Sequence, residues 1–182
     1  MKKVLFIVGS IRQESINRKV ALAISKLLSA DFTPIFAEIK NLPLYNQDFD
    51  GKEPSEVIAF KEQIKACDAV IIVTPEYNRS VPGVLKNALD IGSRPGGQSV
   101  WDGKPVGILG ASEGAIGTAL AQQHLRLIVS FLNMPAMSQP EAYVRYHHAL
   151  LSEDGKILEA GTKAHLEKWV AAFEAWVKKF VI

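Results

Sequence analysis

The stretch ILGASEGAIG, Ile108–Gly117, contains Gly110-Ala111-Ser112-Glu113-Gly114, a match to G-x-S-x-G. In serine hydrolases that pattern bends a strand sharply into a helix and exposes the serine as a nucleophile. Its triad needs an acid and then a histidine later in the chain, and Asp154 followed by His165 has that order. Ser112 is therefore a candidate nucleophile for ester hydrolysis. Against it, His165 falls in a C-terminal helical pattern, and no HGGG-type oxyanion loop is present.

Two other stretches point to different chemistry. GSIRQESIN, Gly9–Asn17, follows an apolar run and leads into a helical pattern. It supplies Ser10, Ser15 and Asn17 as hydrogen-bonding groups and Arg12 as a cation. Free N–H groups and the dipole at a helix start favour an anion, and a guanidinium forks onto phosphate oxygens. The stretch lacks the Gly-Lys-Ser/Thr of a P-loop and the G-x-G-x-x-G of a dinucleotide fold. The competing reading is a plain turn and helix cap. TPEYNRSVPG, Thr74–Gly83, offers a rigid proline, an aromatic ring and main-chain groups that could edge a planar heterocycle, with Tyr77 over one face. By itself it is equally an ordinary strand-to-helix turn.

These stretches need a frame. Val4–Val8 is an all-apolar run, and Ala69–Thr74, AVIIVT, is apolar up to its final threonine; both suit strands buried on both faces. Phe32–Ile39 and Pro105–Leu109 read as further strands, and Met134–Met137 as a short edge strand. Helical patterns run over about 16–28, 56–66, 82–91, 114–132 and 162–180. Leu166, Trp169, Val170, Phe173, Trp176, Val177 and Phe180 share one face of the last. The long loop SRPGGQSVWDGKP leaves Trp101 as a pocket lid or a packing anchor. Alternating strands and helices imply an α/β fold, a three-layer αβα sandwich on a parallel sheet. Five strands favour the flavodoxin-like order 2-1-3-4-5, with a ligand beyond strands 1 and 3, where strand order reverses. The loops after Val8, Thr74 and Leu109 then share one edge.

Bulk properties narrow the partners. The chain has 182 residues, enough for a single domain over 1–182, with 48% hydrophobic and 22% charged residues. A net charge of +2 with no basic block gives no case for nucleic acid. No apolar run is long enough to insert into a membrane. MKKVLFIVGS reads as a first strand rather than a leader, since polar sequence follows without a cleavage site. Lone Cys67, in KACDAVIIV, reads as a buried structural thiol and suits the cytoplasm. His147-His148 lacks a third ligand, so no metal site is expected.

GSIRQESIN, PEYNRSVPGVLKNALD and GASEGAIGTALAQQHLR together resemble the NADPH-dependent FMN reductase family, closest to its bacterial quinone and chromate reductase branch. The likeness covers roughly residues 3–140. It implies a flavodoxin-like fold, non-covalent FMN, NADPH or NADH as co-substrate, and a homodimer or homotetramer. It implies FMN phosphate near Ser10, Arg12, Ser15, Ile16 and Asn17. The isoalloxazine would lie against Pro75, Glu76, Tyr77 and Asn78, with Ser112 and Gly114 bordering it. The implied reaction is ping-pong hydride transfer to small-molecule acceptors, quinones foremost, with chromate, azo and nitro compounds behind. The cofactor carries the chemistry, so no catalytic side chain is obligatory. A flavin-binding carrier or redox sensor without turnover is the alternative within the fold.

Overall fold

The computed structural model describes residues 1–181. Five strands form one all-parallel sheet: β1 Lys2–Val8, β2 Phe32–Phe36, β3 Ala69–Val73, β4 Val106–Ser112 and β5 Tyr143–Arg145, in the order β2-β1-β3-β4-β5. Five α-helices connect and cover it: α1 Ile16–Ser25, α2 Ser55–Ala66, α3 Gly83–Gly92, α4 Ala119–Phe131 and α5 Ala160–Val177. The expected order is the observed one.

The apolar strands have no polar face because both faces are covered. Val4, Phe6 and Val8 of β1, with Ala69, Ile71 and Val73 of β3, meet α1 and α5. Leu5 and Ile7, with Val70 and Ile72, meet α2, α3 and α4. Two glycines admit large rings. A side chain on Gly107 of β4 would start 2.7 Å from Phe173 and 2.8 Å from Trp169, so α5 lays its aromatics directly on the strand. A side chain on Gly92 would collide with Trp101, whose indole Nε1 donates to the Leu89 carbonyl at 2.9 Å. Trp101 is fully buried and is the anchor, not a lid.

Several boundaries differ from expectation; β2 stops at Phe36 rather than Ile39, and α1 at Ser25 rather than about 28. Met134–Met137 contributes only a bridge, Ala136 to Val106 at the start of β4. The fifth strand is Tyr143–Arg145, paired with Gly110, Ala111 and Ser112 at the other end of β4. β4 runs through Ser112 rather than ending at Leu109, so two separate segments share its outer edge. Helix α4 starts at Ala119 rather than Gly114, because residues 113–118 form turns in which Gly117 has φ +59°. Among the described residues no helix is long and apolar enough to cross a membrane. Cys67 is buried, and burial pushes its thiol up to about 11, which keeps it unreactive.

Candidate functional site

The three loops meet at the carboxyl edge of β1, β3 and β4. Gly9 follows β1 directly, and its N–H donates to the Val73 carbonyl at 2.9 Å. A side chain there would start 2.9 Å from Leu85 of α3 and 3.2 Å from Pro75. Glycine thus lets the first loop close onto the second.

The first loop is built for an anion. Ser15 caps α1 from an extended conformation, its Oγ accepting from Arg18 N at 3.2 Å. Among the described residues, the main-chain N–H groups of Ile16 and Asn17 have no acceptor. The nearby acid, Glu14, is held by Lys19 at 2.8 Å, which lowers its carboxyl below the usual range. Arg12 is exposed and, among the described residues, has no ion pair. A cation and free donors therefore surround a helix start. These residues fit a phosphate group. Ser10 stands half-buried at the loop's entrance.

Asn17 has a different part from the rest of this loop. It is 1% exposed. Its amide donates to the Ala111 carbonyl and accepts from the Ala111 N–H, both at 2.9 Å. The side chain thus rivets α1 to β4, and what Asn17 offers a ligand is its main-chain N–H.

The second loop is a tight turn. Tyr77 and Ser80 exchange main-chain bonds at 3.1 and 3.0 Å. Between them Asn78 and Arg79 are left-handed, with φ 51° and 65°, the geometry of a two-residue type I′ turn. Left-handed backbone costs a non-glycine residue roughly 1–2 kcal/mol, so the surroundings must hold it. Glu76 helps: its Oε2 accepts from Leu120 N at 3.0 Å and Ala121 N at 3.1 Å. The α4 cap residue Thr118 makes no side-chain cap bond, so a carboxylate from another loop neutralises the helix start. Glu76 therefore serves α4 with its side chain and leaves its main chain to a ligand. Pro75 is buried, while the Tyr77 ring stands 53% exposed, free to cover a planar guest.

The third loop is shaped by close approach. A side chain on Gly110 would start 2.1 Å from both the Thr74 carbonyl and Thr118 Oγ1. Ser112 is the last residue of β4, and its Oγ donates to the Gly117 carbonyl at 2.5 Å. Gly114 opens the turn that Gly117 closes. This is not a nucleophile elbow, because no helix follows the serine directly. His165 bonds the Glu141 carbonyl through Nε2 at 2.8 Å. Asp154 is held by Lys156 and Ser152, which lower its carboxyl to about 2. The three residues of the hydrolase reading face separate partners. His147 lies 4.0 Å from Glu159, and among the described residues no metal-holding cluster exists.

Sequence reading placed the three loops but missed their fastenings. A helix expected from Gly114 put residues 120 and 121 in its interior, where no distant Glu76 was called for. A lone Asn after a helix cap carries no mark that it will bond a strand at position 111. The bond between Ser80 Oγ and His124 Nδ1, 2.9 Å, joins residues 44 apart and was equally invisible.

A doubly wound parallel sheet with an anion loop at its switch point, and two facing loops that can border a planar ring, defines a flavodoxin-like flavoprotein. The NADPH-dependent FMN reductase family model matches residues 2–149, and the chain belongs to that family. It is thus an FMN-dependent oxidoreductase that uses NAD(P)H. It is 48% identical to a 2-hydroxy-1,4-benzoquinone reductase of a Burkholderia species over 97% of this chain and 96% of that protein. It is 47% identical to a quinone reductase of Pseudomonas putida, covering 96% and 94%. The flavoenzyme FerB of Paracoccus denitrificans, an NAD(P)H:acceptor oxidoreductase, superposes with a TM-score of 0.96 at 39% identity, each chain fully covered.

Proposed function

We propose that the chain is a single-domain, cytoplasmic NAD(P)H:quinone oxidoreductase. The observation that carries the reading is the set of free donors at the start of α1, with unpaired Arg12 beside them, facing the Tyr77–Ser80 turn where strand order reverses. Both relatives quoted above are named for quinones at nearly half identity, which supports that acceptor class. Chromate, azo and nitro compounds are proposed as secondary acceptors.

In this reading Ser10, Arg12, Ser15, Ile16 and Asn17 receive the FMN phosphate, Ile16 and Asn17 through their N–H groups. Pro75, Glu76, Tyr77 and Asn78 border the ring system, three of them through main chain and Tyr77 through its ring. Ser112 and Gly114 close the other side. FMN held there would supply the redox chemistry, hydride transfer between NAD(P)H and the acceptor. The protein's work is to bind, orient and exclude water. The Glu76 and Ser112 side chains are spent on fastening the loops, to the start of α4 and to the Gly117 carbonyl.

The chain is also proposed to pair with a second copy. Leu120, Leu127 and Phe131 line the outer face of α4 and are 39%, 75% and 89% exposed. An apolar stripe of that kind marks a protein contact, and it starts beside the Glu76 cap. Phe131→Glu should shift sedimentation from dimer to monomer.

The test of the whole reading is direct. Purified protein should be yellow, bleach anaerobically with NADPH and recolour with benzoquinone. Colourless protein that takes up no added FMN overturns it. Ser112→Ala should leave flavin bleaching in place; its abolition of an esterase activity would restore the hydrolase.

A further inference from the structure

We propose that His124 is a positioning residue of the flavin site, acting through the Ser80 hydroxyl to hold the left-handed turn at Asn78 and Arg79. The proposal rests on the flavin reading above.

The turn has two sides. On one, the main-chain N–H groups of Asn78 and Arg79 have no acceptor among the described residues, so they are available to the oxygens and nitrogens of a ring edge. On the other, α4 grips the turn at both ends. Glu76 enters it and is bonded to the first turn of α4. Ser80 leaves it and is bonded 2.9 Å away to His124 Nδ1, one turn further along the same helix. The grips are four residues apart on the loop and about one helical turn apart on α4, so helix and loop are held in register.

The chemistry of the pair makes it a durable fastening. A serine hydroxyl both donates and accepts, and an imidazole nitrogen does either according to its tautomer. Neutral His124 with Nδ1 bare accepts from Ser80; with Nδ1 protonated it donates to Ser80. The bond survives both states. His124 contributes no charge or proton to the reaction in this account; it fixes Ser80, and Ser80 fixes a backbone conformation that Asn78 and Arg79 would otherwise leave.

The atom at work is Nδ1, and that gives a discriminating test. Asparagine at a histidine position places an amide atom near Nδ1, whereas glutamine reaches toward Nε2. FMN affinity of the apo-protein is read by fluorescence quenching, at a concentration where each variant sediments like wild type. His124→Ala, His124→Gln and Ser80→Ala should each weaken FMN about fivefold, the usual net worth of one hydrogen bond. The Ser80→Ala/His124→Ala double variant should lose no more than either single one. His124→Asn should stay within about twofold of wild type. In the apo-protein, amide exchange at Tyr77 and Ser80, whose N–H groups bond each other's carbonyls across the turn, should quicken in the Ala and Gln variants and not in His124→Asn. Equal behaviour of the Asn and Gln variants, additive losses, or unchanged exchange in His124→Ala overturns the proposal. Wild-type protein that takes up no FMN would instead sink the flavin reading and leave the exchange pattern to decide whether the fastening exists.

Discussion

Asn17 and Asn87 make the same pair of bonds in two settings. Asn17 donates to and accepts from the main chain of Ala111, both at 2.9 Å. Asn87 of α3 accepts from Tyr45 N at 2.8 Å and donates to the Pro43 carbonyl at 2.9 Å. Each side chain bridges a helix to a distant segment. Asn17, however, is buried between α1 and the central sheet, whereas Asn87 is half-buried and holds the loop that follows β2. The difference lies in what its loss leaves behind. Without Asn17, a donor and an acceptor of Ala111 are stranded away from water. Without Asn87, water can reach the groups it leaves. The same two hydrogen bonds are therefore a core fastening in one place and a loop clip in the other.

Four variants break or sharpen that contrast. Asn17→Ala should cost about 3 kcal/mol in urea unfolding, since two buried main-chain groups lose their partners. A loss below about 1 kcal/mol would show that water enters and that the two sites are alike. Arg12→Ala tests the exposed side of the same corner. FMN affinity should fall about tenfold while unfolding stability changes by less than about 0.5 kcal/mol. Unchanged FMN affinity would remove Arg12 from the phosphate site. Asn87→Ala should cost about 1 kcal/mol and speed amide exchange at Tyr45, with FMN affinity unchanged.

The smallest effect is at the far end of that same loop. Glu53 is paired with Lys61 at 2.8 Å, and Lys61 also donates to the Arg94 carbonyl at 2.6 Å. The Lys61 hydrogen bond, then Glu53's own main chain, hold the carboxyl below its ordinary value of 4.5. A depressed folded-state value means the stabilisation is complete above the unfolded value and fades as pH falls through the folded one. Glu53→Gln should therefore cost about 0.5 kcal/mol at pH 7. The gap to wild type should close as pH drops below 4.5. A gap that persists at pH 2 would show that packing, not the ion pair, holds the loop.

The legible part of the molecule was the part written in local pattern. All-apolar Val4–Val8 and Ala69–Val73 announced strands covered on both faces. GSIRQESIN announced an anion loop, and its Ser15 does cap α1. Tyr143–Arg145 was missed because a three-residue strand leaves almost no periodicity to read. The local pattern puts a helix start at Gly114, whereas Gly117 keeps the chain in turns until Ala119. The G-x-S-x-G match illustrates the limit most plainly. Its spacing is correct, yet Ser112 ends a strand, and its hydroxyl turns back onto Gly117.

By itself the sequence determined the first four strands, their order and the three loops that must share an edge, because hydrophobic period and helix caps act over a few residues; the fifth strand came only with the tertiary structure. The family likeness in those loops supplied the flavin. Only the tertiary structure decided how the loops are held: Asn17 on Ala111, Glu76 on the start of α4, Ser80 on His124. Those bonds join residues 94, 44 to 45 and 44 positions apart. A hydrogen bond between distant residues depends on where the fold brings two atoms, and no local pattern records that meeting.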